Sequence, residues 1–170
     1  MAKEIQSFEK YGLHSELVYL PSGPVAVSAL LAGDLTMAFA ATNAAIASIH
    51  RGAPLLAVGA ITRSPGWSLW VQPEIAKPEQ LQGRILGITR AGSATHFMTL
   101  TVLQRLGLQD SVKLQPFGGA PEANAAFRAG RIAGRVTSLK PVPQARSLLD
   151  LADLGIVFSI DLLVVGETFT

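Results

Sequence analysis

The spacing of apolar positions changes repeatedly along the chain, and each change marks an expected element. Residues 2–11 place Ile5 and Phe8 on one helical face, turn Glu4, Glu9 and Lys10 elsewhere, and stop at Gly12. SELVYL (15–20) reads as a strand, closed by Pro21, Ser22, Gly23 and Pro24. Residues 24–32 read as a helix with Pro24 in its first turn and Gly33-Asp34 after its end. LTMAFA (35–40) is a short apolar strand, and Thr42-Asn43 opens a helix running to Arg51-Gly52. LLAVGAIT (55–62) and WSLWVQP (67–73) are further strands.

A polar stretch with two prolines (73–83) then separates two halves. Beyond it the pattern restarts, with strands at 84–89, 111–116 and 132–137 and helices at 94–106 and 121–130. Pro141 and Pro143 introduce a short helix near 142–149, and DLLVVG (161–166) closes the series as a strand. Strands alternating with helices of this length predict an α/β chain of two lobes with mainly parallel sheets. The lobes are expected at 1–75 and 76–158, with 159–170 returning to the first.

Composition narrows the functions. The 170 residues are 49% hydrophobic and 15% charged, enough apolar material for a packed core. Fourteen basic residues nearly balance 12 acidic ones, and the arginines are scattered rather than clustered. With 6% aromatic residues, this offers neither the basic face nor the stacking surface of a nucleic-acid binder. There are no cysteines, which removes thiolate catalysis and cysteine-based zinc sites. His14, His50 and His96 lack metal-ligand spacing, and neither a metal nor a cofactor is expected. No apolar run is long enough to cross a membrane. The charged start MAKEIQSFEKYGL lacks the apolar core of a signal peptide, so the chain as given is expected to be cytoplasmic.

The candidate chemistry lies where predicted strands run into helices. In ITRAGSATHF (88–97), Gly92 permits a sharp turn, and Ser93 and Thr95 add hydroxyls at a helix start whose free amides favour an anion. Arg90 and His96 flank this turn. Ser22-Gly23, Thr42-Asn43 and Thr137-Ser138 sit at three more strand ends. Each alone reads first as a helix cap or a plain turn. Together they lie at the carboxyl ends of strands, where open α/β sheets bind ligands. The spacing of Trp67 and Trp70 puts them on opposite faces of a strand, one toward a cleft and one toward the core.

The ordered series of segments resembles the periplasmic solute-binding proteins of ABC importers, in the group for nitrate, sulfonates and taurine. AKEIQSFEKYGLHSEL and PSGPVAVSALLAGDLTMAF are similar to that family's opening helix and its first turn and helix. LQGRILGITRAGSATHFMTLTVLQRLGL and GGAPEANAAFRAGRIAGRVTS are similar to its second-lobe segments. The resemblance implies the type II periplasmic-binding-protein fold, with two lobes closing on a small, often anionic solute and no chemistry performed. It implies contacts from Ser22, Gly23, Thr42, Asn43, Gly92, Ser93, Thr95, Thr137 and Ser138. It further implies an ABC permease as partner and a periplasmic or membrane-tethered location.

The family carries a first strand before the opening helix and more helices after the position of Thr170. The first lobe is therefore expected to be incomplete, with exposed strand edges inviting self-association. Gly134-Arg135 stands where the family tends to have Asp-Ala, and Arg135 within a strand is costly without a partner. An enzyme on the same fold and a cytoplasmic ligand sensor are the alternatives.

Overall fold

The computed structural model describes residues 8–60, 66–138, 140–155 and 159–167. Its first lobe holds α1 (Gly23–Ala32), β1 (Met37–Ala41), α2 (Thr42–His50) and β2 (Leu55–Ala60). The second holds β3 (Ser68–Val71), β4 (Ile85–Ile88), α3 (Ala94–Arg105), β5 (Lys113–Pro116), α4 (Ala120–Arg128), β6 (Gly134–Thr137) and β7 (Arg146–Asp150). The last strand, β8 (Asp161–Gly166), returns to the first lobe.

The first sheet has the order β1-β8-β2 and the second β5-β4-β6-β3-β7. β8 runs antiparallel to both its neighbours, which makes β1 and β2 co-directional. β4 is parallel to β5 and β6, whereas β3 is antiparallel to β6 and β7. The reversed strands β3 and β8 are the ones that follow the two crossings between lobes. That is why antiparallel pairing enters a chain whose βα units otherwise build parallel sheet.

Each lobe has its own core. Ala26, Val27 and Leu30 of α1 pack on Ala38 and Ala40 of β1, Ala45 of α2 and Val164 of β8. In the second lobe Leu69, Leu86, Met98, Val102 and Val136 close around the face of the sheet covered by α3. Phe127 and Ile132 pack with Trp70 on the other face. Ala41, Ala94 and Ile160 form a small cluster joining the lobes.

Four expectations differ from the structure. Residues 15–20 form no strand; Leu17, Val18 and Tyr19 are exposed and have no strand beside them, and an apolar run needs a partner to become sheet. Residues 146–150 form β7, not a helix, because β3 offers a free edge there, and Ser68 Oγ donates to Asp150 Oδ1 across the pair. β3 belongs to the second sheet, so the lobe crossing lies before residue 68 rather than at 75. Within the expected helix 2–11, residues 8–11 contain only the 3-10 turn Glu9–Tyr11, and residues 1–7 lie outside the described set. Residues 61–62 of the expected strand 55–62 also lie outside it.

Candidate ligand-binding site

One continuous cavity of about 650 Å³ is lined by both lobes, within the range of small-molecule sites. The first lobe contributes Ser22 and Gly23 at the start of α1 and Ala41 before α2. The second contributes Thr89 and Thr95 beside α3, Ala120 at the start of α4, and Arg135, Thr137 and Ser138 from β6 and its end. Four helices thus present their N-terminal ends to one space.

Three of those ends have no side-chain cap. Ser22 precedes α1 in extended conformation with its hydroxyl making no bond to the helix, and Ala41 and Gly119, which have no polar side chain, precede α2 and α4. First-turn amides have no partner inside a helix, and the peptide dipoles add partial positive charge there. Buried polar atoms without partners gather around the same region: Ser22 Oγ, Thr42 Oγ1, Asn43 Oδ1 and Arg135 Nε. Buried polar groups in folded proteins are nearly always satisfied. Ser22 and Arg135 line the cavity itself, where a polar ligand would complete them.

α3 is built differently. Ser93 caps it, its Oγ accepting from His96 N at 3.3 Å. Ser93 Oγ and Thr95 Oγ1 are hydrogen-bonded at 2.9 Å, and Thr95 Oγ1 also meets the Thr89 hydroxyl at 3.0 Å and accepts from Thr89 N at 2.9 Å. This buried network fixes the β4–α3 turn and leaves Thr95 and Thr89 on the cavity wall.

The expected site residues fall into three groups. Ser22, Gly23, Thr95, Thr137 and Ser138 line the cavity together. Thr42, Asn43, Gly92 and Ser93 lie at the seam between lobes, where Asn43 Nδ2 donates to Gly92 O at 2.7 Å and lies 3.4 Å from Ser93 O. Arg90 and His96 face elsewhere: Arg90 Nε donates to Gly118 O at 3.2 Å, and His96 Nδ1 accepts from Gly92 N at 3.1 Å. Trp67 lines the cavity, while Trp70 packs in the core under Lys140, whose Nζ is 5.8 Å from the ring centre.

A family model described as NMT1/THI5 like matches residues 1–169. The chain belongs to the NMT1/THI5-like family. Solved structures similar to this NMT1/THI5-like chain place it in the periplasmic-binding-protein fold. The aliphatic sulphonate binding protein SsuA from Escherichia coli is 22% identical, with TM-score 0.75, covering 99% of this chain and 60% of that one. The alkanesulfonate-binding SsuA from Xanthomonas axonopodis pv. citri, bound to MOPS, is 23% identical, with TM-score 0.84, covering 99% and 61%. PhnD1 from Prochlorococcus marinus, in complex with methylphosphonate, is 10% identical, with TM-score 0.72, covering 99% and 69%. The chain therefore spans about three fifths of the two sulfonate-binding structures. No curated protein matches it.

Sequence reasoning missed Thr89, Arg135 and Asp161, which also line the cavity of this NMT1/THI5-like chain. Thr89 directly follows β4 and was detectable only as a residue of the glycine turn's approach. Arg135 gave the one usable signal, a charge inside a predicted strand. Asp161 opens β8, and only the long-range pairing of that strand with β1 sets it beside Ala41.

Burial pushes the Asp161 carboxyl above its ordinary pKa. The folded chain then holds that proton to higher pH than the unfolded chain does. Its stability falls as pH rises from the ordinary carboxylate value to the raised one, and levels off above it. Asp161→Asn is expected to raise the melting temperature at pH 7 and to remove that decline. Melting curves between pH 4 and 7 check this, and parallel profiles for the two proteins would contradict it.

Proposed function

We propose that this chain binds a small anionic solute, such as a sulfonate, taurine or nitrate, in the cleft between its lobes and serves an ABC-type importer without performing chemistry. The observation that carries this reading is the meeting of uncapped helix N-termini with two buried groups that lack partners and can donate, Ser22 Oγ and Arg135 Nε, at one cavity. That combination suits negative charge. The MOPS and methylphosphonate held by two similar structures are both anionic, which supports the same class. In this reading Ser22, Gly23, Thr95, Thr137 and Ser138 contact the solute, the Asn43–Gly92 bond holds the lobes in register, and an ABC permease on the periplasmic side receives the solute.

The test is a panel of thermal melts with sulfonates, taurine, nitrate, phosphonates and neutral pyrimidines. A ligand of the native state raises the midpoint as its concentration exceeds Kd. A shift confined to anions supports the reading; shifts from pyrimidines alone, or none at all, reject it.

The expected self-association also remains a proposal. β1 is an outer strand, and a second copy pairing there would satisfy its open backbone edge. Sedimentation is expected to show dimers at high concentration, and a monodisperse monomer counts against it.

A further inference from the structure

Arg135 is the only charged side chain among the described residues that is fully buried, at 1% exposure. A buried charge is tolerated when it is paired, and no carboxylate pairs with this one among the described residues. Its Nη1 donates to Ala120 O at 3.0 Å and to Asn124 Oδ1 at 2.7 Å. Both acceptors are neutral. Its Nε–H has no acceptor at all. Desolvation alone lowers its pKa to about 10, so it is still a cation at neutral pH.

Its location adds to the imbalance. Ala120 begins α4, and a helix N-terminus carries partial positive charge, the wrong sign for stabilising a guanidinium. The first-turn amides of α4 lack a side-chain cap. Thr137, two residues on and on the same face of β6, lines the same cavity. Glu122 stands in that first turn and Asp161 lines the same cavity, but neither carboxylate bonds the guanidinium, so its unpaired Nε–H and the uncapped helix start share one wall.

We propose that Arg135 is the charge-selecting residue of the cleft: its Nε–H and the Ala120 and Glu122 amides of α4 hold an oxygen of a fully ionised oxyanion headgroup. This rests on the solute-binding reading and deepens it, because hydroxyls and amides alone would accept neutral sulfonamides or amides as well. A hydrogen bond between charged partners contributes about 10- to 100-fold in affinity. The ligand-free protein should pay for this in stability, since apolar replacement of a buried unpaired charge is neutral or stabilising.

The experiment is calorimetric titration of the wild type, Arg135→Met and Arg135→Lys with ethanesulfonate and its neutral isostere ethanesulfonamide, together with ligand-free melts. The wild type is expected to prefer the sulfonate by at least about tenfold. Arg135→Met should erase that preference while melting at or above the wild-type temperature, and Arg135→Lys should keep part of it. Retention of the preference in Arg135→Met overturns the inference. So does melting of that variant well below wild type, which would make Arg135 a structural clamp on α4. Equal binding of both compounds by the wild type overturns charge selection but leaves cleft binding intact. Binding of neither overturns both readings.

Discussion

Replacing Gly23 by alanine is expected to lower the melting temperature by roughly 4–12 °C and to weaken solute binding at the same time. A Cβ at Gly23 would fall on the Ala41 Cβ, 2.8 Å from its backbone nitrogen and 3.1 Å from its Cα. Ala41 has little room to retreat. It ends β1 in register with Asp161 of β8, and the next residue, Thr42, donates its N–H to Ile160 O at 2.8 Å. The added methyl must instead move α1, whose first turn lines the cavity. Overpacking against backbone costs about 2–3 kcal/mol, and the same displacement opens the gap between two ligand-facing helix ends. Melting and titration of the single variant check both effects. An unchanged midpoint would mean that the two helix starts do not touch as described.

Gly134→Ala is expected to be at least as damaging, with a loss of about 3 kcal/mol or roughly 6–12 °C. Gly134 lies in the middle of the second sheet, opposite Val71 of β3 and Leu86 of β4. A Cβ there would sit 2.6 Å from the Trp70 carbonyl oxygen, 2.9 Å from Val71 Cγ1 and 3.1 Å from Leu86 Cδ2. The first of these is backbone in a paired strand and has no rotamer to change. Relief requires β6 to shift, which carries Arg135 and Thr137 with it. Binding should therefore fall alongside stability. A variant that melts like the wild type would contradict the tight packing of β3, β6 and β4.

Much of the fold was legible in short windows. Gly33 ends α1 with positive φ, Ser93 caps α3, and the apolar runs of β4, β6 and β8 lie within the predicted strands. These features depend on neighbours in sequence. What went unread depends on partners far away. SELVYL has strand composition but no strand beside it, whereas RSLLD, following two prolines, became sheet because β3 offered an edge. Local pattern cannot report which edge is free.

The site was legible in the same uneven way. The hydroxyls of Thr95, Thr137 and Ser138 line one cavity, because βα units place strand ends on one side, and Ser22 joins them although no strand precedes it. Arg90 and His96 sat beside the most suggestive turn, yet their side chains bond Gly118 O and Gly92 N. Arg135 was flagged only as a cost. Its meaning required the position of α4, whose Asn124 is 11 residues earlier in the chain.

The central claim is that the cleft holds a small anion. Calorimetric titration of the unmodified chain with ethanesulfonate and with methylphosphonate tests it most directly. A saturable isotherm with one site per chain for at least one of the two is the predicted result. Heats no larger than dilution for both, on protein that melts cooperatively, would contradict the account.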